Sequence, residues 1–127
     1  MIEYEHASDV LKESHDIIRR LSLGHIDADR LFCLRSKGSR SRGVIARCHV
    51  LPKALQKALG LEAHYVIEVI SERFDSLSHE ERAKVIIHEL LHIPKSFGGG
   101  FRHHDFVSRK NVENLYRIYA SRKSDIV

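Results

Sequence analysis

The segment from Ser78 to Pro94, "SHEERAKVIIHELLHIP", constrains this chain more than any other, because it carries a start signal, a stop signal and two chemically different faces. Ser78 followed by Glu81 fits the S-x-x-E capping box, which pairs two backbone donors that a helix start leaves unsatisfied. Pro94 ends the run, since proline cannot donate and clashes with the preceding turn. At about 100° per residue, His88 and His92 fall roughly 40° apart and Glu89 lies about 100° from His88. Ala83, Ile86, Ile87 and Leu90 occupy the opposite side. One face therefore anchors the helix in a core, and the other presents two imidazoles and a carboxylate on a rigid support.

That spacing is chemically specific. Histidines at i and i+4 stand one turn apart, close enough for both rings to bind one ion. The intervening glutamate points nearby without being a ligand, and can accept a proton from water whose pKa a zinc ion has lowered to about 7. The sequence thus predicts one Zn2+ held by His88 and His92, with Glu89 as general base. Third-ligand candidates follow at His103 and His104, after the glycine run Gly98, Gly99 and Gly100, which lets the chain turn back toward the helix. If one of them binds, the site stays open and catalytic; if both bind, it closes with four ligands and Glu89 has no water to activate. The closed alternative is a non-catalytic zinc module that binds nucleic acid or protein.

The remaining chain alternates short elements. Apolar residues at helical spacing predict an amphipathic helix from Ser8 to about Leu21. "RLFCLRS" (Arg30 to Ser36), "GVIARCHVL" (Gly43 to Leu51) and "HYVIEVI" (His64 to Ile70) read as strands. Pro52 opens a short helix over Lys53 to Leu59, and Gly60 closes it. A last helix is expected over Asp105 to Ser121, burying Phe106, Leu115, Ile118 and Tyr119. The expected order is αββ(α)βαα.

At 127 residues the chain makes a single domain, residues 1–127, with one core. No apolar run is long enough to span a membrane. The start, "MIEYEHASDV", is acidic where a secretory leader is basic, so a cytoplasmic location is the expectation. Cys33 and Cys48 lack the CxxC spacing of zinc knuckles and redox pairs, and read as free thiols unless neighbouring strands bring them together. The net charge is +4. Much of the basic excess lies in "RSKGSRSRGVIAR", where Arg35, Lys37, Arg40, Arg42 and Arg47 sit among glycines and serines. It reads as a flexible hairpin turn and as a candidate nucleic-acid contact.

"HELLHIPKSFGGGFRHHDF", with "GVIARCHVLPK" and "YVIEVISERF" upstream, resembles the zincin-type metallopeptidases, in particular the small predicted metallopeptidases of archaea and phages. The likeness covers most of the chain. The family pattern runs H-E-L-x-H-I-P, a glycine run, then R-x-H-D. It matches His88 and His92 to the helix ligands, Glu89 to the general base and His104 to the third ligand, with His103 at a variable position. The resemblance implies an α+β, minimal zincin-like, SprT-like core: a small, mostly antiparallel sheet packed with the H-E-x-x-H helix and a C-terminal helix. It implies a peptide or protein substrate extended along Tyr65 to Ile70 as an edge strand. No methionine follows the ligands, so the metzincin subclass is not expected. Arg102, Tyr116 and Tyr119 are candidate oxyanion donors, and Asp105 is a candidate either to orient a ligand ring or to cap the last helix.

Overall fold

The computed structural model describes residues 1–102 and 107–122. It is an α+β fold in which one mixed four-stranded sheet carries helices on one face. In chain order the elements are β1 (Glu3–His6), α1 (Ser8–Arg20), β2 (Leu31–Lys37), β3 (Ala46–Val50), α2 (Lys53–Leu59), β4 (Tyr65–Ile70), α3 (Ser71–Phe74), α4 (His79–Leu91) and α5 (Arg109–Arg122). A 3-10 turn, Ala28–Arg30, leads into β2.

The strand order is β1-β2-β4-β3. Both outer pairings are antiparallel and the central one, β2 with β4, is parallel. This corrects two expectations. β4, Tyr65–Ile70, is not an edge strand: it lies inside the sheet between β2 and β3, with five of its six residues buried. β2 and β3 do not form a hairpin, because β4 separates them. The same register settles the cysteines. Cys33 and Cys48 both face Ile67 of β4 from opposite sides, two strand spacings or about 10 Å apart. A disulfide needs its Cα atoms within about 7 Å, and both thiols are free.

Paired residues on neighbouring strands point the same way, so Leu31 and Cys33, Tyr65, Ile67 and Val69, and Ala46 and Cys48 share the helix-covered face. α1 lays Val10, Ser14 and Ile17 against it, with the Ser14 hydroxyl 3.6 Å from the Cys33 thiol. α4 adds Ala83, Ile86, Ile87, Leu90 and Leu91. Each large aliphatic side chain buried this way stabilises the fold by roughly 1.5–3 kcal/mol, enough to fix which face of α4 turns away.

The local signals act as expected at both ends of α4 and at α2. Ser78 caps α4 with both halves of the capping box in place, and Gly60 closes α2 in the left-handed region at φ 67°. β1 had no signal in the sequence: E-Y-E-H is exposed along its whole length and pairs with β2. In α5 the buried residues are Val112 and Tyr119, whereas Ile118 is exposed, contrary to expectation. Asp105 and Phe106 lie outside the described residues. No helix among the described residues is long and apolar enough to cross a membrane.

Candidate metal centre

α4 brings its polar trio together as its spacing requires. The His88 and His92 rings stand 5.1 Å apart between centroids, at 71° to each other. His92 caps the C-terminal end of the helix, and its surroundings fix which ring nitrogen faces a carbonyl. The backbone N–H of Arg102 donates to the His92 carbonyl at 2.8 Å, and the Arg102 carbonyl lies 3.1 Å from His92 Nδ1. A carbonyl only accepts, so Nδ1 carries the proton and Nε2 keeps the lone pair a metal ligand needs.

Glu89 is 7% exposed, and burial pushes its carboxyl up to about 7. Among the described residues no group donates a hydrogen bond to that carboxylate. A buried carboxylate beside two imidazoles, in a place where charge lacks compensation, fits the needs of a divalent cation with a proton-accepting neighbour. The donor set is also suited to zinc, which takes imidazole nitrogen readily. His103, His104 and Asp105 lie outside the described residues, and among the described ones no group of three His, Cys, Asp or Glu is placed to hold an ion.

The loop that leaves α4 is tied down at its glycines. Tyr65, fully buried on β4, accepts a hydrogen bond from the Gly99 N–H at 3.1 Å and donates to the Gly100 carbonyl at 2.9 Å. Its ring packs on Phe97 at 4.9 Å. Gly99 sits at φ 116°, and a Cβ there would fall 2.8 Å from the Gln56 amide nitrogen. Glycine is favoured at that position by its backbone angle, since the end of the Gln56 side chain can move aside.

His88 and Glu89 open onto a cleft of about 750 Å³. One wall is the end of the β2–β3 connection and the start of β3, Gly43 to Ala46; the others are Lys84 and Val85 of α4 and Arg109, Val112 and Glu113 of α5. Sequence reasoning did not identify these walls. Val85 alone had a signal, since it precedes His88 by three residues and Glu89 by four and so shares their side of the helix.

The connection 38–45 is held firmly where a flexible turn was expected. Glu72 accepts from the Gly38 N–H at 2.8 Å, and Arg73 donates to the carbonyls of Ser41 and, at 3.1 Å, Val44. Three of its flanking cations are engaged: Arg35 pairs with Asp9 and Asp75, Lys37 with Glu5, and Arg47 with Glu68. Arg40 and Arg42 remain exposed.

The oxyanion candidates divide. Tyr119 is buried and donates to Glu13 and Asp16 of α1 at 3.0 and 3.1 Å, which places its hydroxyl in the α1–α5 contact. Tyr116 lies under the Lys84 ammonium, 5.2 Å from the ring centroid. Arg102 touches the site through its backbone, as described. Cys48 shares the sheet face toward α4, and burial together with the Glu89 charge pushes its thiol up to about 12; burial alone is the main cause at Cys33, raised to about 11. Both thiols are uncharged at neutral pH.

Residues 2–121 match the family model described as "Putative phage metallopeptidase". No curated protein and no solved structure matches.

Proposed function

From the premise that the chain belongs to this phage metallopeptidase family, we propose that it is a zinc-dependent peptidase of the H-E-x-x-H zincin type, with a minimal, SprT-like core. The observation that carries the reading is the placement of Glu89: buried, raised to about 7 and without a donor among the described residues, on the wall of a cleft beside two imidazoles one turn apart. His88 and His92 would hold the ion, and the family likeness assigns His104 as the third ligand.

When bound, zinc supplies a Lewis acid that polarises a carbonyl oxygen and lowers the pKa of water toward about 7. The chain's own residues do the rest. Glu89 takes the proton from the attacking water at a carboxylate oxygen and passes it to the departing amine, a role suited to a carboxyl whose pKa lies near neutrality. The Arg102 carbonyl keeps the His92 ring in the required tautomer. With β4 internal, the free edge beside the cleft is that of β3, and an extended peptide adds there by main-chain hydrogen bonds.

The test is Glu89→Gln in the zinc-loaded protein. Metal content should be unchanged while hydrolysis falls by about 10²–10⁴-fold, the usual worth of a general base. Cleavage at the parent rate would overturn the reading. Four protein ligands on the ion, counted by X-ray absorption, would point to the non-catalytic zinc module instead.

A further inference from the structure

Independently of the peptidase reading, we propose that the sheet face turned away from the helices binds a single-stranded nucleic acid, stacking bases on exposed rings and pairing phosphates with the cations of the 38–45 connection. α1 and α4 pack on the opposite face, over Leu31, Cys33, Tyr65 and Ile67. Alternation along the strands sends Phe32 and His49 the other way, and the β1 register adds Tyr4 and His6 to the same side. His64, the residue before β4, joins them. Its ring lies nearly parallel to that of Phe32, at 16° and 6.1 Å between centroids. All five rings are exposed, Tyr4 to 59% and Phe32 to 41%.

Flat rings spread over a four-stranded sheet are suited to unpaired bases, because every base has a π-face and a sheet of this width seats two or three of them. From the strand geometry, the Cα atoms of Tyr4 and Phe32 lie about 14 Å apart, so the rings form a row and not one clump. A duplex hides the faces of its bases and gains nothing from such a row.

The charges agree with a polyanion. Glu68, buried at the centre of this face, is already taken by Ser36, His49 and Arg47. Glu3 and Glu5 alternate to the helix side, where Lys37 stands 3.8 Å from Glu5. Glu62, beside His64, meets Arg30 at 3.2 Å. At the other end Arg47 donates to the Ser41 hydroxyl at 2.6 Å, which ties the 38–45 connection to this face. Arg40 and Arg42 flank Ser41 in sequence and are both exposed, so the rim is cationic. A basic turn alone attracts any polyanion, and rings alone suit many surfaces. Rings beside cations are the combination by which a single strand is held, largely without regard to its sequence.

The experiment titrates the full chain into a fluorescently labelled oligothymidylate and follows anisotropy at several salt concentrations. Binding should weaken as salt rises and should be tighter than to a duplex of the same length. Phe32→Ala should weaken it about 5–100-fold, the usual worth of one base stacked on a ring. Phe32→Leu, which keeps apolar area without a flat ring, should weaken it too, and Phe32→Trp should restore it. Tyr4→Ala tests the far end of the row, at an exposed position, and covers the case in which the Phe32 variants do not fold. Replacing Arg40 and Arg42 together by alanine should reduce the salt dependence. Parent-like affinity in both Phe32→Ala and Tyr4→Ala, or equal competition by inorganic polyphosphate, would leave only a basic turn and overturn the proposal. So would preference for the duplex, parent-like affinity in Phe32→Leu, or no binding at all. None of these readouts involves peptide hydrolysis, so a failure here and a failure of the peptidase reading are told apart.

Discussion

Two glutamates of this protein are almost equally hidden from water and behave in opposite ways. Glu68, in the middle of β4, is 1% exposed; Glu89, on α4, is 7% exposed. Burial pushes the Glu68 carboxyl up, but hydrogen bonds from Ser36 at 2.5 Å and His49 at 2.7 Å, with Arg47 at 3.5 Å, outweigh it and leave its pKa below the usual value. Glu89 meets burial alone and is pushed up to about 7. Depth alone does not set the pKa of a buried carboxylate. The partners the fold supplies do: Glu68 is held as an anion, and Glu89 has no hydrogen-bond donor among the described residues.

The sharpest way to break the comparison is to make the same substitution at both positions. Glu89→Gln should cost about 10²–10⁴-fold in hydrolysis, yet leave the metal-free protein as stable as its parent or more so above neutral pH, because it removes an uncompensated buried charge. Glu68→Gln should leave metal content and activity near parent levels and destabilise the fold. Glu68→Ala should cost more, about 3–5 kcal/mol, since it strands Ser36, His49 and Arg47; chemical denaturation measures both. If Glu68→Ala changed activity at constant stability, the division between the two sites would fail.

A smaller effect concerns acid. Because the folded pKa of Glu68 lies below its ordinary value of 4.5, its contribution to stability is complete above that value and is lost as pH falls through the folded pKa. Glu68→Gln should therefore flatten the acid limb of a stability profile, measured as Tm between about pH 6 and 2. Smallest of all should be Tyr65→Phe, which keeps the ring against Phe97 and removes the two hydrogen bonds to Gly99 and Gly100. Each such bond is worth about 0.5–1.5 kcal/mol net. The loss should appear as weaker zinc retention in a chelator competition, and unchanged retention would show that the glycine loop is positioned without it.

The sequence made legible whatever is settled within one element. The capping box, Pro94, the i, i+4 histidines and Gly60 act over a few residues, and the helices and strands they govern lie where expected. The order of strands was not legible, because Glu3–His6 has no apolar alternation to announce β1, and nothing local says that β4 slots between β2 and β3. The near-unbroken apolar run of β4 was itself the sign of an interior strand. Glu68 looked like an ordinary polar position within that run; its partners Ser36 and His49 come from β2 and β3 and can be named only once the register is known. The cleft walls were hidden for the same reason, being shared among the β2–β3 connection, α4 and α5.

The parallel pairing of β2 with β4 has a consequence in time. Its two strands meet only after the intervening chain, including β3 and α2, has been accommodated, whereas His88, His92 and Arg102 are neighbours along the chain. Contacts between distant segments form late, since their loops must close first. The local contacts between His92 and Arg102 therefore need less chain to be ordered than the seating of β2 on β4 does. Under the proposed reading, the two halves of the site differ in how they are built: the imidazole pair comes from residues close along the chain, and the wall of the cleft from segments far apart in it.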